Sequence, residues 1–197
     1  MILKEHFHSE NLYNKMGLLS ESQVGEIYKG IEWIINNHVD AVVVGGTAVI
    51  HYLKGGRDLT PDLDVLVPDL TKLRNMLISQ GITPKLLSDG LGITVDKFNT
   101  DFLNVNAGTS CINKYLFSNK CYHAVLIGGN NLNIINAELL CIMKLSVGRQ
   151  KDTDDAINLL GSGSLSKDVF LNYVQDLEML RCIDKGDNLG MYSEMIK

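Results

Sequence analysis

DAVVVGGTAVIHYLKGGRDLTPDLDVLVP, residues 40–68, carries more chemistry than any other part of this 197-residue chain. Residues 41–44, AVVV, form a short continuous apolar run, the pattern of a strand buried on both faces. Gly45 and Gly46 then turn the chain, and Thr47 is placed to cap a helix running to Tyr52 or Leu53. Gly55 and Gly56 end that helix. Leu63, Val65, Leu66 and Val67 frame a second strand, which Pro68 closes.

Two features of this stretch can bind ligands. A Gly-Gly turn between a buried strand and a helix exposes backbone N–H groups at the positive end of the helix dipole. Without Cβ atoms, Gly45 and Gly46 let a phosphate approach closely, and Thr47 adds a hydroxyl donor. Such turns also occur as plain architecture. Asp62 and Asp64 stand two apart on a strand and so project from one face. Buried there, two like charges repel, and the pKa of one rises unless a cation sits between them. Mg²⁺ fits this need, taking carboxylate oxygens at roughly 2.0–2.1 Å and leaving other positions for water and phosphates. The alternative is a solvent-facing strand side.

Hydrophobic residues make up 45% of the chain and charged residues 21%, an ordinary globular composition sized for one domain with a helical appendage. The net charge of −5 counts against a nucleic-acid coat with a broad basic face, but not against an enzyme that touches RNA locally. Cys111, Cys121, Cys141 and Cys182 match no zinc or CxxC spacing and read as reduced, buried thiols. Residues 1–14 mix Lys, Glu and His with apolar residues, and no apolar run approaches a membrane span. The expectation is a soluble, cytoplasmic protein with no membrane partner. His6, His8 and His38 read as surface histidines.

Along the chain, Ser20 and Gln23 open an amphipathic helix over about 21–37. Asp69 caps a helix over 70–80, stopped by Gly81. Strands are expected over 82–87, 91–96, 101–106 and 122–127, with a short edge strand at 132–135. Residues 108–120 show no clear pattern. Helices follow over about 136–147, 152–160 and, capped by Ser166, to about Cys182. The predicted fold is α+β (mixed α/β), a mixed sheet flanked by helices. Residues 1–135 form the expected core, and residues 136–197 a C-terminal helical region packed on it.

The sequence resembles the nucleotidyltransferase superfamily, in particular its small AbiEii-like or MNT-like branch. Val44-Gly45-Gly46-Thr47-Ala48 matches the GGTA form of the signature, and Asp62-Leu63-Asp64 its Asp-x-Asp. Arg57 and Thr60 resemble the branch's R…T segment, with one residue more between them than the usual R-x-T. The likeness is dense over about 40–67. It implies an NTP donor and Mg²⁺ (or Mn²⁺). Gly45, Gly46, Thr47, Arg57 and Thr60 would hold the nucleotide. Asp62 and Asp64 would hold the metal, with a third carboxylate from a later strand: Asp101 is the choice and Asp96 the alternative. Residues 138–160 resemble the branch's Lys helix followed by an Arg/Lys–Asp segment. There Lys144 would reach the triphosphate, and Asp152 or Asp155 would hold Lys144 or Arg149 in place. The resemblance further implies NMP transfer to an acceptor hydroxyl, with RNA or tRNA preferred, a toxin-like or phage-defence role, and an antitoxin protein as partner. The alternative is a nucleotide-binding or partner module without turnover.

Overall fold

The computed structural model describes residues 21–53, 62–106, 108–127, 130–184 and 194. Ser20, Gly55, Gly56, Arg57, Thr60, Gly128 and Gly129 lie outside these residues, as do His6 and His8. The described elements are α1 (Glu21–Asn36), β1 (Val42–Val43), α2 (Gly45–Tyr52), β2 (Leu63–Val67), α3 (Leu70–Ser79), β3 (Lys85–Leu86), β4 (Gly92–Val95), β5 (Thr100–Asn104), α4 (Ser110–Ser118), β6 (Tyr122–Ile127), β7 (Asn130–Ile135), α5 (Ala137–Val147), α6 (Gln150–Gly161) and α7 (Lys167–Met179). They build the expected mixed α/β fold around one sheet of order β3-β4-β5-β2-β1-β7-β6.

The apolar run at 41–44 is buried throughout, but only Val42 and Val43 join the ladder. Val44 already leaves it to begin α2. β1 pairs antiparallel with β2 on one side and parallel with β7 on the other. β2 pairs parallel with β5, which pairs antiparallel with β4. Along β2 the alternation of the pleat sends Leu63, Val65 and Val67 to one face and Asp64 and Leu66 to the other. β5 repeats this with Phe102 opposite Asp101 and Leu103.

α1 covers the face that Phe102 points to. The Trp33 ring lies edge-on to Phe102 with centroids 6.0 Å apart, and stacks on Phe98 at 5.8 Å. α2 and α5 lie on the other face, over Asp64 and Asp101. The core is one connected cluster from Ile27 to Ile183, so residues on both sides of position 136 share it. Local signals hold at several ends. Asp69 accepts a hydrogen bond from the Lys72 amide at 2.8 Å, capping α3. Ser166 caps α7 through the Val169 amide. Gly148 closes α5 with φ +70°, a conformation that glycine adopts without Cβ strain.

Five expectations need correction. Thr47 does not cap α2: Val44 holds that position, and Thr47 lies one turn inside. The strand expected over 82–87 is only Lys85–Leu86, because the chain turns at Gly81 and again beyond Leu87. Residues 132–135 belong to a six-residue strand inside the sheet, with β6 outside it. Residues 110–118 form α4, held by buried Ile112, Tyr115 and Leu116 at helical spacing. Finally, Cys111 and Cys182 are not buried thiols. α4 brings Cys111 against the chain end that follows α7, and the two form a disulfide with Cα atoms 5.3 Å apart. Cys121 and Cys141 are free and buried, as expected.

Candidate active site

The parallel pairing of β2 and β5 sets Asp64 directly beside Asp101. Asp62, at the entry to β2, completes the cluster. Each of the three offers a carboxylate oxygen, and these atoms all lie within 4.8 Å of one another. Asp96, the alternative third carboxylate, stands outside the cluster in the short turn after β4 and forms an exposed ion pair with Lys85.

The Gly-Gly turn is built against this cluster. The Val44 amide donates to the Asp64 carbonyl at 3.0 Å, continuing the β1–β2 pairing into the head of α2. Gly45 follows with φ +60°. A Cβ there would stand 1.9 Å from Asp64 Oδ2, 2.6 Å from its Cγ and 2.7 Å from its Cβ. Glycine at this position is therefore required twice, by backbone conformation and by space. The Gly46 amide donates to Asp64 Oδ2 at 3.3 Å. The Thr47 hydroxyl donates to the Asp62 carbonyl at 3.0 Å. In this structure Gly46 and Thr47 thus orient the two aspartates. Gly45 and Gly46 line the cleft, and Thr47 is not among the lining residues.

Burial pushes the Asp64 carboxyl up to about 6, and the charges of Asp62 and Asp101 push the same way. The Gly46 amide and Lys144 offset this only in part. Asp101 is also raised, chiefly by burial, with a hydrogen bond to Thr94 acting against it. Three carboxylates share a small, partly desolvated space with an excess of negative charge. A hard divalent cation fits such a set: all donors are oxygen, and their spacing suits one or two ions.

Above the triad, the α5–α6 junction supplies a buried charge cluster. Lys144 is 6% exposed, and its Nζ lies 2.7 Å from Asp152 Oδ1 and 2.9 Å from Asp155 Oδ2. Arg149 Nε donates to the other Asp152 oxygen at 2.5 Å. Burial alone would raise the Asp152 carboxyl, but Arg149 and Lys144 hold it below its ordinary value. Asp152 therefore ties two cations together, one buried and one whose side chain stays 67% exposed. A cleft of about 750 Å³ joins these parts, lined by Gly45, Gly46, the triad, Lys144, Arg149 and Lys151. Its far wall includes residues that sequence reasoning did not select: Leu87, Ser88, Asp89 and Leu91 of the β3–β4 turn, Leu103, Thr109 just before α4, and Asn113 within it. The spacing of Ile112, Tyr115 and Leu116 was the signal for α4. The expected nucleotide ligands Arg57 and Thr60 fall outside the described residues.

Two solved structures share this arrangement of elements over most of the chain. One is an antigenic nucleotidyltransferase-like protein from Paracoccidioides brasiliensis, with a TM-score of 0.53 and 15% identity, covering 82% of this chain and 93% of its own. The other is the antibiotic-resistance factor ANT(2'')-Ia, with a TM-score of 0.54 and 12% identity, covering 83% of this chain and 97% of its own. This chain has a nucleotidyltransferase-like fold. No protein-family model and no curated protein matches the sequence. Among the described residues, no helix is long and apolar enough to cross a membrane.

Proposed function

We propose that the chain is a metal-dependent nucleotidyltransferase. It transfers a nucleoside monophosphate from an NTP to an acceptor hydroxyl and releases pyrophosphate. The observation that carries this reading is the Asp62–Asp64–Asp101 cluster set against the head of α2 and facing a buried lysine.

Asp62, Asp64 and Asp101 would hold Mg²⁺ or Mn²⁺, which when bound neutralises charge on the phosphates and polarises the α-phosphoryl group. Gly45 leaves the space in which Asp64 and a phosphate come close. The Gly46 amide keeps the Asp64 carboxylate pointed into the cleft. Lys144, fixed by Asp152 and Asp155, presents a point charge toward the triphosphate, and Arg149 adds a second donor at the rim. The acceptor oxygen bonds to the α-phosphorus, and the α–β anhydride bond breaks. Asp101 orients the attacking hydroxyl, whose proton passes to water as the oxygen attacks. Arg57 and Thr60 extend the nucleotide site on the strength of the sequence resemblance.

The same resemblance favours RNA or tRNA as the acceptor, ahead of protein or a small molecule. It also gives an intracellular toxin-like or phage-defence role with an antitoxin partner. Lys151 and the exposed Arg149 at the cleft supply local cations for an RNA phosphate. The test is incubation with each α-labelled NTP, Mg²⁺ and total cellular RNA. Label should move to RNA, and should not do so with EDTA or in Asp64→Asn. Transfer that survives either change would overturn the mechanism. A thermal shift with Mg²⁺ and NTP, but no label on RNA, protein or small molecules, would make the chain a nucleotide-binding module.

A further inference from the structure

We propose that Cys111 and Cys182 are a reversible dithiol–disulfide pair whose oxidation fixes one wall of the cleft. Cys111 sits in the first turn of α4, and Cys182 lies three residues beyond the end of α7. Their Cα separation of 5.3 Å falls within the range an ordinary disulfide spans. Cys111 is exposed and Cys182 half-buried, so reductant reaches the bond. The other two thiols are inert by contrast. Cys141 is buried in apolar surroundings that push its thiol up to about 12. Cys121 is buried and its thiol is also raised by burial.

The pair's position gives the bond its consequence. Thr109, just before α4, and Asn113, one turn on, both line the cleft, and the Thr109 hydroxyl donates to Asn113 Oδ1 at 3.2 Å. Cys111 stands between them in the chain. The rest of α4 docks on α7 without the cysteines. The Tyr115 hydroxyl donates to Asp176 Oδ2 at 2.6 Å, and the Tyr115 ring lies edge-on to Tyr173 at 5.9 Å. Ile112 and Leu116 are fully buried. Cleaving the bond therefore removes the covalent tie on the first turn of α4, leaving that turn held by Ile112 and the body seated.

The chemistry is exchange with a small disulfide such as oxidised glutathione. One cysteine thiolate attacks it, forming a mixed disulfide and expelling one glutathione thiolate. The second cysteine attacks the mixed disulfide and expels the other. Two protein thiols are oxidised, and one small disulfide is reduced to two thiols. A small dithiol runs the reverse. The effect on catalysis rests on the function proposed above, but the pairing and the wall can be read without turnover.

The experiment equilibrates the full chain in glutathione buffers of graded ratio. Alkylation followed by mass spectrometry counts the free thiols, and amide exchange is followed over seconds to minutes, when only local openings exchange. Cys111 and Cys182 should pass together from thiols to a disulfide, with Cys121 and Cys141 unmodified in the native chain. On reduction, exchange at 109–113 should rise by about 10-fold while β2 and β5 stay unchanged. Cys111→Ala and Cys182→Ala should each show the reduced pattern in every buffer; if one fails to fold, the other decides. The proposal fails if both cysteines stay reduced at all ratios, if exchange at 109–113 does not respond, or if the rise spreads evenly over the chain.

Discussion

Gly45→Ala tests whether the turn and the carboxylate are built as one unit. At φ +60° an alanine carries a backbone strain of about 1–2 kcal/mol. Its Cβ would also meet Asp64. Rotating the Asp64 side chain clears Oδ2 and Cγ but not Cβ, which stands 2.7 Å away, so strand or turn must shift. Overpacking of that kind costs about 1–3 kcal/mol. The expected loss is therefore about 2–5 kcal/mol, measured by urea unfolding of the metal-free protein. Below pH 6 the Asp64 carboxyl is largely protonated, and charge repulsion does not confuse the reading. In an Asp64→Gly background the clash is gone and only the φ strain remains, about 1–2 kcal/mol. The double-mutant cycle should give a coupling of about 1–3 kcal/mol between positions 45 and 64. Costs that add to within about 0.5 kcal/mol would refute the close approach and, with it, the argument that Gly45 is fixed by Asp64.

Two other perturbations have definite signs. The folded chain holds Asp64 at about 6 against an ordinary value of 3.8, so the native state binds its proton more tightly than the unfolded one. The stability this contributes is full below pH 3.8 and is lost as pH rises to about 6, a change of about 3 kcal/mol. Asp64→Asn should therefore make the metal-free protein more stable at pH 7.5, by up to about 3 kcal/mol, while abolishing label transfer. A variant less stable than wild type at that pH would contradict the buried, uncompensated carboxylate. Lys144→Met leaves Asp152 and Asp155 buried without their shared cation, and should cost about 3–5 kcal/mol in urea unfolding. Adding Asp152→Asn and Asp155→Asn should recover much of that loss. If Lys144→Met is neutral, the lysine is not held as described.

Legibility in the sequence followed the range of the interaction. Asp62-x-Asp64 was readable because a strand's period of two is local, and so was the Gly-Gly turn at the end of a fully apolar run. The α3 cap at Asp69 and the α7 cap at Ser166 were readable for the same reason. The meeting of Asp64 and Asp101 was not local. It depends on a parallel register between strands 37 residues apart, and only the family resemblance pointed to Asp101 over Asp96. The two aspartates holding Lys144 come from across the α5–α6 turn, at offsets that helical periodicity does not define; the family's Lys helix and Arg/Lys–Asp segment, not periodicity, pointed to them. α4 escaped because Ser, Cys and Asn weaken its helix propensity, although Ile112, Tyr115 and Leu116 carry the spacing. The disulfide joins residues 71 apart, a distance at which cysteine spacing says nothing about pairing.

The position of Asp64 gives the strongest internal argument for a bound cation. Every element around it takes water away: β1 and β5 flank its strand, and the head of α2 closes over its carboxylate. The same elements bring up two more carboxylates and, among the described residues, little compensation: one backbone amide, one lysine already shared by two aspartates, and Arg149 at the rim. A fold optimised for stability alone would place an apolar or amide side chain there, and the structure predicts that asparagine raises the stability of the metal-free chain. Gly45 sharpens the point, since a residue with any side chain would force this carboxylate away. A chain that keeps a carboxylate in such a place, and a glycine to make room for it, departs from local stability rules in the way functional sites do.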